Sequence, residues 1–215
     1  MRIAQYYSHL NGHEYLIAKK PHLWAEIEQV IENVEASQFR TKVSKEKTMS
    51  GAQLYSPGAL NRAFDEEFRR HGWAEQRTDF WVTENPKLIR DTLNLKPDNQ
   101  RKLIEQAGGQ AYHSYNQTDF VKDRVAVEVQ FGKYFAVAYD LFVKHLAFYI
   151  GDVIDLGVEI VPMRELSAAT LRDGKRTRNM SIGVSWYEKE LYNLIREGLG
   201  IPASRWFLLA LHVRR

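Results

Sequence analysis

The apolar positions of this chain change their period several times, and each change predicts an element. Residues 1–10 alternate loosely and predict a strand ending at the Asn11-Gly12 turn. Pro21 then opens an amphipathic helix with Leu23, Trp24, Ile27, Val30, Ile31 and Val34 at helical spacing. A polar stretch, SQFRTKVSKEKTMSG, follows it. Ser56-Pro57 starts a second helix, with Ala59, Leu60, Ala63, Phe64 and Phe68 towards one side. Thr78 to Val82 predicts a short strand, and Pro97 to Gln106 a helix that stops before Gly108-Gly109. Thr118 to Tyr134 predicts two strands joined near Lys122-Asp123-Arg124. Phe135 to Ile150 is the most apolar helix, its period carrying Ala138, Leu141, Phe142, His145, Leu146 and Tyr149. Ile154 to Val161 predicts a buried strand. A basic stretch, TLRDGKRTRNMS, separates it from a helix around Trp186 to Arg196, and Trp206 to Val213 closes as an apolar strand. This order fits an α/β fold, a central mixed β-sheet flanked by helices on both sides.

Composition narrows the picture. The chain has 215 residues, 44% hydrophobic and 27% charged, as in ordinary globular proteins. There is no repeat or low-complexity linker, so one domain over 1–215 is expected. The absence of cysteine excludes disulfides, thiolate nucleophiles and Cys-ligated zinc. There is no apolar signal core and no long apolar run, so a cytoplasmic location with no membrane contact is expected. The net charge of +3 and a pI of about 9.0 point weakly to nucleic acid.

The candidate chemistry sits in VAVEVQFGKY. Side chains alternate across a strand, so Val125, Val127, Val129 and Phe131 share one face. Ala126, Glu128, Gln130 and Gly132 share the other. Polar groups on a buried strand are costly unless something binds them. With Asp119 on the neighbouring strand, its carboxylate can approach Glu128 and form a hard-oxygen site suited to Mg²⁺. Such an ion polarises a phosphate and acidifies a bound water. The same spacing also occurs on strand faces that carry only ordinary salt bridges.

The spacing Asp119-x8-Glu128-x-Gln130 resembles the variant PD-(D/E)xK motif of type II restriction endonucleases in the BglII/BstYI group. YSHLNG, SKEKT, LYSP, PKLIR, SYNQTDFVKDRVA, VEVQFGKY, AYDLFVKH and ELYN extend the likeness from residue 1 to about residue 200. The resemblance implies a restriction-endonuclease-like core and a homodimer that cleaves palindromic double-stranded DNA with Mg²⁺. The implied word is R^GATCY or a related GATC-centred hexamer, cut to leave 5′ overhangs with 5′-phosphates. It also implies a partner methyltransferase, as in a restriction-modification system. Asp119 and Glu128 are then the metal ligands. Gln130 stands where most relatives carry Lys. An amide takes no proton near neutral pH, but it can orient the attacking water.

DNA contacts are expected from two loops, about 38–52 and 168–182. Arg40, Lys42 and Lys45 lie in the first. Arg172, Lys175, Arg176, Arg178 and Ser181 lie in the second. Lys133, just past the catalytic strand, is placed to reach a guanine edge or a phosphate. Both loops can also be read as solvated surface. The stretch at about 168–179 is longer than its family counterpart, and Ile182 replaces a small polar residue there. This leaves open a different or modified-base specificity, or a DNA-binding protein that no longer cleaves. His145 is expected to be packed or at a dimer interface, for which the Phe135–Ile150 helix is the candidate.

Overall fold

The computed structural model describes residues 1–45, 47, 50–163, 168–170, 176–178, 185–198 and 205–212. Strand β1 (Arg2–His9) leads into α1 (Gly12–Lys19) and α2 (Pro21–Asn33). A short hairpin, β2 (Lys42–Val43) and β3 (Gln53–Leu54), precedes α3 (Pro57–Arg70). Then come β4 (Ala74–Val82), α4 (Pro86–Thr92), α5 (Pro97–Gln106), β5 (Tyr112–Lys122) and β6 (Val125–Val129). A continuous helical segment follows, made of α6 (Ala136–Tyr139), a π-helical turn (Asp140–His145) and α7 (Leu146–Ile150). The described chain closes with β7 (Leu156–Pro162), a small pair β8 (Ala168–Thr170) and β9 (Arg176–Arg178), α8 (Ser185–Gly198) and β10 (Trp206–His212).

Six strands form one mixed sheet in the order β1-β10-β7-β6-β5-β4. The β10–β7 and β7–β6 pairs are parallel, and the outer pairs are antiparallel. Strands β6 and β7 are buried at every position, as central parallel strands must be. On one face, Phe64 of α3 stacks on Phe131 with centroids 5.5 Å apart, and Phe68 stacks on Phe120 at 4.6 Å. Leu23, Ile27, Val30 and Ile31 of α2 join that core. On the other face, Phe148 and Ile154 pack on Ala126, and the His145 ring packs on Gly157. Helices therefore cover both faces of a mixed sheet, the α/β architecture expected.

Local chemistry explains the boundaries. Pro21 and Pro57 occupy first helical turns, where a missing N–H costs nothing. The Ser56 side chain accepts from the Ala59 N–H and caps α3. Asp123 and Arg124 take left-handed φ values of 45° and 65°, the two-residue turn that a right-twisted hairpin favours.

The pattern missed α1 and α4, both short, and it began β4 too late. It also treated Phe135 to Ile150 as uniform α-helix. The π turn widens the spacing, so Val137, Leu141 and His145 are buried at intervals of four residues, whereas Tyr149 is exposed. The basic stretch at 168–179 holds the β8–β9 pair rather than a loop throughout.

Gly157 is a packing requirement. A Cβ there would meet His145 Nδ1 at 2.1 Å. Gly157→Ala is expected to lower stability by about 1–3 kcal/mol, read from the denaturant midpoint. Adding His145→Ala should recover most of that loss. Equal midpoints for wild type and the single variant would contradict this packing account.

Candidate active site

Three strands set the site. Phe120 pairs with Val127, so the next pair outward places Asp119 opposite Glu128. Glu128 pairs in parallel register with Glu159 of β7. Neighbouring strand positions in register share a face, so the three acids form a row across the sheet. Asp119 is exposed, and its Oδ2 accepts from the Val129 N–H at 3.5 Å. It lines a small cleft with Asn61, Arg62, Asp65, Arg69 and Glu75. Glu128 lies behind it, 3% exposed, turned towards the π-helical turn.

That turn supplies two more charges. Lys144 Nζ lies 2.5 Å from Glu128 Oε1 and 2.9 Å from Asp140 Oδ1. The Glu128 contact is a close ion pair set off ideal hydrogen-bond geometry. Gln130 Nε2 donates to Asp140 Oδ2 at 3.5 Å, and Gln130 Oε1 accepts from the Lys133 N–H at 3.1 Å. The alternation predicted for β6 is present: Ala126, Glu128 and Gln130 all face the Ala136–Ile150 segment.

Electrostatics follow from burial. Burial, then the neighbouring Asp119 charge, pushes the Glu128 carboxyl well above its usual range. Lys144 opposes that shift, and the 2.5 Å contact is the geometry of the ion pair. Burial also raises Asp140. Burial alone would lower Lys144, but Glu128 and Asp140 hold its ammonium above its ordinary value. Glu159 is raised well above the ordinary value by burial, then by Asp140 and Glu128. Neither of its oxygens has a hydrogen-bond partner. Burial, then Lys144, lowers His145 to about 3, so it is a neutral packed residue.

The structure thus brings together Asp119, Glu128, Gln130 and Lys133, the last exposed at the end of β6. Arg40, Lys42 and Lys45 are exposed and form a second group at the β2–β3 hairpin. Arg40 donates through Nε to the Gln53 carbonyl at 2.9 Å and lies over the Tyr55 ring. Arg172, Lys175, Ser181 and Ile182 fall outside the described residues. Arg176 and Arg178 lie on β9, with only their backbone described. Sequence reasoning passed over Asn61, Asp140 and Glu159, and gave Lys144 no role. Their signals were a lone acid within LGVEIVP and a polar pair four apart in the most apolar helix.

A family model for restriction endonuclease BglII/BglIII matches residues 4–204. The chain belongs to this family. It is a restriction endonuclease of BglII type, a site-specific deoxyribonuclease. No curated protein matches the sequence. Among solved structures, the chain is similar to restriction endonuclease BglII complexed with a DNA 16-mer, with a TM-score of 0.58 and 16% identity. That match covers 99% of this chain and 78% of BglII, and it shows the shared fold.

Restriction endonucleases generally use a divalent metal. The residues fit one: Asp119 and Glu128 converge from adjacent strands, and Glu128 is a buried carboxylate whose charge is under-compensated. Two carboxylates, with water and phosphate completing the shell, match the usual demand of Mg²⁺. Among the described residues, no cluster of three or more His, Cys, Asp or Glu side chains forms a metal cage.

Glu159 yields a pH prediction. Its folded value lies above its ordinary 4.5, so the fold favours the neutral acid. That contribution is complete below about 4.5 and lost as pH rises through the folded value. Glu159→Met is therefore expected to raise the thermal midpoint, and to raise it more at alkaline than at acid pH. Melting curves across pH check this, and an unchanged or lower midpoint at alkaline pH would count against it.

Proposed function

We propose that this restriction endonuclease is a Mg²⁺-dependent homodimer that cleaves palindromic double-stranded DNA at R^GATCY or a related GATC-centred hexamer, leaving 5′ overhangs. The observation that supports the site is the placement of Asp119 opposite Glu128, with Gln130 two residues on. Asp119 and Glu128 would hold the ion. When bound, it neutralises charge on the phosphate and acidifies a water. Gln130, fixed between Asp140 and the Lys133 N–H, orients that water in line with the scissile bond. The water oxygen bonds to phosphorus, the P–O3′ bond breaks, and O3′ leaves with a proton. The products are a 5′-phosphate and a 3′-hydroxyl.

DNA binding is supported by the BglII relative, solved in complex with a DNA 16-mer. Lys133 reaches the groove from the end of β6. Arg40, Lys42 and Lys45, together with Arg172, Lys175, Arg176, Arg178 and Ser181, contact the backbone or bases. The whole chain acts as one domain in the cytoplasm. No helix among the described residues is long and apolar enough to cross a membrane.

A palindrome presents two equivalent half-sites and calls for a two-fold enzyme. Phe135, Tyr139, Val143 and Ile150 are exposed along the outer side of the Ala136–Ile150 segment. Val143 and Ile150 also border an apolar groove lined by Trp81, Ile89, Leu93 and Leu95. Exposed apolar stripes of this kind mark association surfaces, and this one is assigned to the second protomer. Val143→Glu is expected to shift the protein from dimer to monomer in light scattering. A variant that remains a dimer would place the interface elsewhere.

The function is tested by incubating the protein with unmethylated DNA and Mg²⁺ and sequencing the fragment ends. Ends beginning 5′-GATC, between a purine and a pyrimidine, are expected. Defined ends at another word would relocate the specificity, and binding without cutting would support a cleavage-deficient protein. Glu128→Ala should reduce cleavage by at least about a hundredfold with folding intact. Near-normal cutting would remove Glu128 from the chemistry.

A further inference from the structure

A π turn is rare, and such turns occur frequently at functional sites. Here it aims Asp140 and Lys144, four residues apart, at the same strand. Lys144 reaches Glu128 Oε1, and Asp140 reaches both Lys144 and Gln130. One ion pair therefore touches both Glu128 of β6 and Gln130 just beyond its end.

The pair is nearly buried, with side-chain exposures of 13% for Lys144 and 5% for Asp140. Two buried charges are seldom the most stable filling for such a space, because apolar residues of similar size avoid the desolvation cost. Stability alone does not account for it. Its contacts do: without the ammonium, Glu128 and Asp140 would be two buried carboxylates with Glu159 beside them. The Glu128 side chain would then have no fixed orientation.

We propose that Lys144 is a positioning residue for metal binding: it holds Glu128 by Oε1 and leaves Oε2 free for the cation shared with Asp119. Asp140 anchors Lys144 from behind and holds Gln130 in the same grip. The inference rests on the reading of Asp119 and Glu128 as metal ligands. It assigns Lys144 a task distinct from touching DNA or the reacting atoms.

The test is Mn²⁺ binding to the full chain without DNA, read from the loss of the free-ion paramagnetic resonance signal. Wild type is compared with Glu128→Ala, Lys144→Met, and the double variant Asp140→Leu, Lys144→Met. The double variant removes both charges together and keeps the space filled, so it folds even where Lys144→Met does not. Both Lys144 variants are expected to bind Mn²⁺ about tenfold or more weakly, the usual effect of losing a partner that orients a ligand. The double variant should keep a thermal midpoint near that of wild type. A purely structural Lys144 would move the midpoint and leave Mn²⁺ affinity alone. Wild-type affinity in the folded double variant overturns the proposal. Equal binding by wild type and Glu128→Ala overturns instead the metal reading beneath it.

Discussion

A carboxylate in the centre of a buried strand must be compensated, and the structure around β6 is organised by that need. All five residues of β6 are buried, Glu128 among them. Water cannot solvate it, so its charge depends on what the protein places within a few ångströms. Lys144 is there, but Asp140 shares it, and Asp119 adds negative charge beside it. The cluster carries more anion than its one ammonium can balance. A site with that surplus fits a divalent cation, which restriction endonucleases generally use.

The remainder of the fold gives this cluster a rigid floor. Parallel pairing of β7 with β6 on one side and β10 on the other fixes the register in which Glu128 and Glu159 meet. On the far side, the stacked rings of Phe64, Phe68, Phe120 and Phe131 bind α3 to the sheet. Because α3 also carries Asn61 and Arg62, the same packing positions one wall of the cleft beside Asp119. Apolar packing of α3 on the sheet thus sets the position of the polar side chains beside Asp119.

Much of this was legible in the amino-acid order. Alternation along VAVEVQ placed Glu128 and Gln130 on one face, and the turn at Asp123-Arg124 followed from its position between two apolar runs. What was not legible had physical reasons. Glu159 looks like one acid in an apolar strand, and only the register with β6 makes it a neighbour of Glu128. Asp140 and Lys144 look like a surface pair, because helical spacing alone cannot reveal a π turn. Asn61 reaches the cleft only through tertiary packing. The short helices α1 and α4 draw their stability from contacts rather than from propensity.

The π turn also constrains the length of this segment, whatever its composition. It holds one more residue than an α-turn would, between an inward side bearing Asp140 and Lys144 and an outward side bearing Tyr139 and Val143. Side chains there can be exchanged while the backbone path is kept. Removing one residue would close the turn to α-geometry and redirect the side chains within it. The inward charges and the outward apolar stripe could not then both keep their directions. The number of residues between Tyr139 and Leu146 is therefore a structural constraint, tying the interior of β6 to the outer surface of the molecule.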